Sequence, residues 1–342
     1  MTRGKRFSVI IPTRDRKRLL EGALESAALQ DYPRDMFEVI VVNDGSTDGT
    51  REFIDTYAAG HKGFDLTAVN IEAHRGVAHA RNAGVTKSQG EIVAFMDDDC
   101  VADKNWLSCL DAAYRSRPDA VSVAARLENA YPDSLVARYQ YVHHLYGINA
   151  AYIPDGLGGA VKGVCFRLPE SDGPVRGSAC QASFLRRVLV EAGGYDESLT
   201  LSEDIELMLR LEGLGYPRPH YTGAAAVKHF YRRELVKVLR QFYLYGRGGP
   251  AFRRLRAERS AGTSAAAGML ANSIYSALEC WHAKRRLLDL PALVFVAVAA
   301  HGCEYLGEAR ERLGGVLGGR KRSPVSGGIH RAPDSRLMSR AR

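Results

Sequence analysis

Ile92-Val93-Ala94-Phe95-Met96-Asp97-Asp98-Asp99 joins an uninterrupted apolar run to three consecutive carboxylates. The run has the length of a strand and no polar face, so it predicts a strand buried on both sides, as in a parallel sheet covered by helices. Three adjacent acids repel one another unless a cation sits among them. Ligands of open α/β sheets collect beyond the C-terminal ends of the strands, so one reading of the triplet is a divalent ion holding a phosphate. A solvated acidic turn is the other.

Working outward, Phe7–Ile11, Phe37–Val42, Phe64–Ile71 and Val121–Ala125 are further short, apolar, β-branched stretches. Between the first two, Leu20, Ala23, Leu24 and Ala27 carry the spacing of one helix face, and Phe53, Ile54 and Tyr57 mark a second helix. Strands alternating with helices predict an α/β fold with a mostly parallel sheet flanked by helices.

Such sheets often bind nucleotides, yet neither usual phosphate loop is present. There is no G-x-x-x-x-G-K-[ST], and the first strand ends in Pro12-Thr13-Arg14 rather than in G-x-G-x-x-G. Val41-Val42-Asn43-Asp44-Gly45-Ser46-Thr47-Asp48 is an acidic turn leading into a helix. Asp44 there can accept hydrogen bonds from a ribose or base, Gly45 permits a tight turn, and Asp48 reads as the N-cap. Ala80-Arg81-Asn82-Ala83-Gly84 places an arginine on the next helix, suited to a diphosphate or simply to the surface.

With 342 residues, 46% of them hydrophobic, the chain can bury a full core. Its six cysteines form no C-x-x-C pair, which points to a reducing cytosolic setting. The first apolar stretch stops at Pro12, too soon for a signal-peptide core, so it is expected to belong to the fold. Residues 308–342 carry nine Lys/Arg against three Asp/Glu and account for +6 of the net +8. This Gly-, Ser-, Pro- and Arg-rich tail has almost nothing to bury and is expected to be disordered from about residue 318.

The order of these pieces carries more than any one of them. Phe7-Ser8-Val9-Ile10-Ile11-Pro12-Thr13, the Asp44 turn, Ala80-Arg81-Asn82-Ala83-Gly84 and Asp97-Asp98-Asp99, followed by Gly193-Gly194-Tyr195-Asp196 and Ser202-Glu203-Asp204-Ile205-Glu206, together resemble the family 2 glycosyltransferases of the GT-A fold, over about the first 250 residues. The resemblance implies an inverting transfer from a nucleotide-sugar donor, a UDP-sugar on family frequency, to a hydroxyl of a glycan or lipid-linked acceptor of the cell envelope. By the same resemblance, Pro12, Thr13, Asp44, Arg81, Asp97 and Asp98 serve the donor. Asp99 ligates Mg²⁺ or Mn²⁺ with His229 as a further ligand, and Asp204 is the base that deprotonates the acceptor. Gln181 and Glu203 fall on the acceptor side.

Other readings remain at several of these positions. Thr200 and Glu203 have capping-box spacing, so the acids could simply open a helix. His229 could be a packing histidine; His143 and His144 read as structural. Residues 129–175 could form a mobile loop over the site or a plain insertion. The family's Gln-x-x-Arg-Trp motif of processive synthases is absent, since Gln241 is followed by Phe242-Tyr243-Leu244-Tyr245, which favours transfer of one or a few sugars.

Three segments are therefore expected: a GT-A domain over 1–250, a helical extension over 251–317 and a basic tail over 318–342. Thr263–Trp281 reads as helical. Leu290–Ala300 is an uncharged run preceded by Lys284-Arg285-Arg286, shorter than the roughly 20 residues that cross a bilayer. It reads as an interfacial helix on the inner face of the plasma membrane, or as a core or dimer helix. No nucleic-acid partner is expected. A metal-dependent nucleotidyltransferase and a catalytically inactive scaffold are the alternative functions.

Overall fold

The computed structural model describes residues 4–61, 63–141, 181–257 and 289–317. Eight strands form one sheet: β1 (Phe7–Thr13), β2 (Phe37–Asp44), β3 (Leu66–Ile71), β4 (Ile92–Phe95), β5 (Cys100–Ala102), β6 (Ser122–Asn129), β7 (Ala182–Leu185) and β8 (His220–His229), in the order β3-β2-β1-β4-β7-β6-β8-β5. The helices are α1 (Lys17–Ala28), α2 (Thr50–Gly60), α3 (Val77–Lys87), α4 (Trp106–Ser116), α5 (Arg186–Glu191), α6 (Glu203–Gly213), α7 (Leu235–Ala257) and α8 (Asp289–Leu317).

The first four strands in that order are parallel. β7 then runs antiparallel to both β4 and β6, and β5 antiparallel to β8, so the sheet is mixed beyond β4. All of the strands read from sequence are present. The remaining three carry weak signals: β5 has three residues, β7 has four, and β8 is built around Gly223-Ala224-Ala225-Ala226.

Strand periodicity sorts the apolar residues into two cores. Phe7, Val9, Ile11, Val39, Val41, Ala94 and Met96 face α1, α2 and α4, where Leu20, Leu24, Ile54 and Trp106 complete the packing. Ile10, Ile40, Val42, Val93 and Phe95 face the opposite way, onto Ala80 of α3, Leu189 of α5 and Leu207 of α6. Continuous apolar runs such as Phe7–Ile11 are needed because both faces are covered. Burial on this scale, at about 25 cal/mol per Å² of apolar surface, fixes the register, since a slip of one residue would exchange the two faces.

The predicted break at residue 250 falls inside α7, which runs unbroken from Leu235 to Ala257 and pairs with α8. Gly246 and Gly307 let the two helices touch; a Cβ at either would overlap the backbone of Glu304 or Tyr243. A third core of Tyr139, Val238, Phe242, Leu293, Val296 and Ala300 joins this hairpin to helical residues 135–141. Arg138, almost fully buried, donates to Asp289 at the start of α8 at 2.5 Å. Residues 142–175 of the expected loop, the helix expected over Thr263–Trp281, Lys284-Arg285-Arg286, His143 and His144, and the tail from 318 lie outside the described residues.

Candidate functional site

Register alone brings the first two motifs together. β1 and β4 pair with Ile10 opposite Phe95, so Thr13 and Asp98, each three residues further on, meet beyond the strand ends. Thr13 Oγ1 donates to Asp98 Oδ2 at 2.8 Å, in a buried contact. The triplet itself is a tight turn closed by Cys100 N–H to Asp97 O at 3.1 Å. Phe230 N–H donates to Asp99 O at 2.8 Å, and Cys100 lies opposite His229 across the β5–β8 pair. The C-terminal end of β8 is thereby delivered to the triplet, with His229 Nε2 3.4 Å from Asp99 Oδ1.

Two arginines serve the three aspartates. Arg16 Nη1 bridges Asp98 Oδ1 at 2.9 Å and Asp99 Oδ2 at 2.8 Å. Arg81, 4% exposed, donates through Nη2 to Asp97 Oδ1 at 3.1 Å and through Nη1 to Glu203, and lies 5.4 Å from the centroid of the Tyr195 ring. Arg16 was not singled out from sequence; its only signal is its place three residues after Thr13. Burial pushes the Asp98 carboxyl up to about 7, assisted by the neighbouring Asp99 charge. Burial also works against Asp99, but His229, Arg16 and Arg232 overcome it and hold that carboxyl below the usual carboxylate range. Two adjacent buried acids with split affinities behave as one unit that shares cations, which a bare solvated turn does not do.

Asp44 closes β2 and is nearly buried. Its oxygens accept from Arg75 N–H at 2.8 Å and Gly76 N–H at 2.9 Å, with His74 Nδ1 at 2.7 Å, so it anchors the entry to α3. Gly45 has φ +68°, and a Cβ there would lie 2.7 Å from His74 N, which explains the glycine expected at this turn. The expected N-cap at Asp48 is displaced by one residue: Gly49, with φ +80°, occupies that position because the turn into α2 needs a left-handed residue, and Asp48 just outside it accepts from Thr50 N–H at 3.2 Å. Pro12 is buried within β1.

The capping box expected from Thr200 and Glu203 does not form. α6 begins at Glu203 itself, and Ser202 before it makes no side-chain cap. The Glu203 carboxylate turns instead to the buried Arg81, because a buried arginine needs a second acid beyond Asp97. Burial raises Glu203 above the ordinary range, opposed by Arg81 and reinforced by Asp204. Ser202 holds φ +63°, an unusual conformation for a residue with a Cβ, at the point where α6 enters the site. Asp204, half-buried in the first turn, accepts from Ile205 N–H at 2.8 Å. Asp97, Arg81, Glu203 and Asp204 thus form one continuous chain from β4 to α6.

A second tie sequence reading missed is Asn82. Its Oδ1 accepts from Tyr195 N–H at 2.8 Å while its Nδ2 donates to Tyr195 O at 2.9 Å, locking the Ala80–Gly84 motif to the Gly193–Asp196 turn. Asn82→Ala removes both bonds and leaves two backbone groups unsatisfied, so it is expected to cost about 2 kcal/mol of stability. Urea unfolding checks this, and an unchanged midpoint would refute it. Gln181 is buried just before β7, with its carbonyl accepting from Ala125 N–H at 2.9 Å.

Ligand atoms of Asp99, Cys100 and His229 all lie within 4.8 Å of one another, a group that could hold a divalent ion; the carboxylate and imidazole accommodate a hard or intermediate ion, whereas the Cys100 sulfur suits a softer one.

Residues 8–161 match the model of glycosyl transferase family 2. Glycosyltransferase AglE of Haloferax volcanii is 31% identical over 39% of this chain and 43% of its own length. Poly(ribitol-phosphate) beta-N-acetylglucosaminyltransferase TarS of Staphylococcus aureus is 36% identical over 32% of this chain and 18% of its own. The chain thus spans less than half the length of these curated relatives. The structure of TarS in complex with UDP-GlcNAc superposes at a TM-score of 0.50 with 18% identity, over 90% of this chain and 92% of that one. The mannosyltransferase PcManGT of Pyrobaculum calidifontis, in complex with GDP-Man and Mn²⁺, superposes at 0.54 with 22% identity, over 93% and 81%. The motif order and the strand-end site agree with the glycosyl transferase family 2 model that residues 8–161 match, and the solved neighbours share the architecture of the sheet and its flanking helices.

Proposed function

We propose that this protein is an inverting glycosyltransferase that moves a sugar from a nucleoside-diphosphate sugar to a hydroxyl of a glycan or lipid-linked acceptor. One observation carries the reading: Thr13, Asp97–Asp99 and His229 converge beyond the C-terminal end of β4, and Arg81 and Glu203 connect that point to Asp204. In this reading the β1 end and the Asp44 turn seat the nucleoside. A Mg²⁺ or Mn²⁺ ion held by Asp99 and His229 would stabilise charge growing on the diphosphate as it leaves. Asp204 takes the proton of the acceptor hydroxyl as its oxygen attacks the anomeric carbon, and a single displacement inverts that centre. The rigid entry of α6 holds the base in place, while Gln181 and Glu203 border the acceptor side.

UDP is the first donor nucleotide to test, since TarS is solved with UDP-GlcNAc, and GDP the second, since PcManGT is solved with GDP-Man. Calorimetry of UDP-, GDP- and dTDP-sugars in the presence of Mn²⁺ tests the reading. Micromolar binding of one class supports it, and binding of none contradicts it.

A cytoplasmic protein held at the inner face of the membrane fits the C-terminal hairpin. α8 is longer than its uncharged core, and Pro291–Glu311 has the length and composition to cross a bilayer, with a third of that window packed inside the fold. Phe295, Val298, Leu306 and Leu313, each more than half exposed, leave an apolar stripe facing outward. Such a face, flanked in the sequence by basic segments, suits an anionic lipid surface. Phe295→Glu with Leu306→Glu is expected to weaken co-sedimentation with anionic liposomes roughly tenfold. Unchanged sedimentation would refute membrane contact through this stripe.

A further inference from the structure

Arg16 occupies an unusual place. It precedes α1, and its backbone is pinned on both sides: Asp15 N–H donates to Ser46 Oγ at 3.0 Å, Asp15 Oδ1 accepts from Thr47 N–H at 2.7 Å, and Leu20 N–H donates to Arg16 O at 3.0 Å. Asp15 itself has φ +51°, in the left-handed region. The main chain is therefore fixed by the β2–α2 turn, while the long side chain reaches across to the triplet. Its side chain is 35% exposed, against 5% for Asp98 and 10% for Asp99. The guanidinium thus covers the two carboxylates from the solvent side and has solvent to swing into. It engages Asp98 Oδ1 and Asp99 Oδ2, and Asp99 Oδ1 faces His229. A divalent ion on Asp99 and His229 would lie within a few ångströms of that guanidinium, and like charges at such range repel strongly in a buried setting.

We propose that Arg16 is a resident counter-cation which neutralises Asp98 and Asp99 in the resting protein and transfers to the donor diphosphate when the divalent ion takes Asp99. Arg81 is shared between Asp97 and Glu203, and Arg16 lies against Asp98 and Asp99 with Arg232 nearby, so Arg16 is the cation most directly displaced by an ion on Asp99. A divalent ion on Asp99 adds two positive charges beside Arg16 and leaves it only Asp98 as a partner. A diphosphate diester adds two negative charges, and its oxygens suit the guanidinium fork. Arg81 cannot take this role without stranding the buried Glu203, whereas Arg16 stands at the solvent edge beside the Asp44 turn. Metal and donor binding are therefore mutually reinforcing, and Arg16 carries part of the coupling.

The inference rests on the proposed donor and metal, so its test separates the two. Free Mn²⁺ is followed by electron paramagnetic resonance on the full chain, with and without UDP or GDP, for the wild type, Arg16→Gln and Arg16→Lys. In the wild type, nucleoside diphosphate should tighten Mn²⁺ binding by about tenfold or more, within the usual range of coupling between sites. Arg16→Gln should bind Mn²⁺ alone about tenfold tighter than the wild type, because the competing cation is gone, and should lose most of the tightening by nucleotide. Arg16→Lys, which keeps the charge but not the fork, should fall between them and serves if the glutamine variant does not fold. Mn²⁺ affinity in the absence of nucleotide that is unchanged or weaker in the substituted protein overturns the role of Arg16 alone. Absence of Mn²⁺ binding in every protein, even with nucleotide present, overturns it together with the metal-assisted function.

Discussion

Asp204→Asn is expected to lower sugar transfer by roughly a thousandfold while leaving donor affinity within a few-fold of the wild type, the effect of deleting a positioned general base. The amide keeps the oxygen that accepts from Ile205 N–H, so the first turn of α6 is preserved. What it removes is the ability to take a proton from the acceptor hydroxyl. Transfer and donor binding should be measured on the same preparation. Near-normal transfer would return Asp204 to the role of an acid that only favours the helix N-terminus.

Asp99→Ala, or excess EDTA with the wild type, is expected to reduce donor turnover by at least about a hundredfold, since charge stabilisation on a leaving diphosphate contributes several kcal/mol. Asp99 is the point where β4, β5 and β8 meet, and its carboxylate is held ionised by His229, Arg16 and Arg232 despite burial. Removing it also leaves Arg16 with Asp98 alone, so part of the loss can be structural. EDTA separates the two effects because it leaves the side chains in place. Full turnover in EDTA would exclude a metal at this site.

The parallel half of the fold was legible because each strand is an apolar run bounded by turn residues, and Asp97–Asp99 stand directly after one of them. The candidate roles of Asp44, Arg81 and Asp204 rest on the order of motifs, since each alone passes for a turn, a surface arginine or a cap. What sequence could not give was the pairing between distant elements. Asn82 bonding to Tyr195, Glu203 turning from a capping box to Arg81, and His229 meeting Asp99 through the β5–β8 pair all depend on tertiary packing. Arg16 stayed hidden for a related reason: its side chain crosses to carboxylates more than 80 residues away along the chain.

Because Ser202 adopts a left-handed conformation at the entrance to α6 and Glu203 is committed to Arg81, Asp204, the proposed base, is positioned by parts of the fold that also hold the acidic triplet. In the proposed function, donor and acceptor chemistry are therefore linked through one chain of side chains.

Incubation of the purified chain with UDP-, GDP- and dTDP-sugars and Mn²⁺, followed by chromatographic identification of the products, tests the central claim most directly. The expected result is slow release of nucleoside diphosphate and free sugar from one donor class, abolished by EDTA. Release of pyrophosphate or nucleoside monophosphate, or no product from any donor with metal present, would contradict a glycosyltransferase acting at Asp97–Asp99.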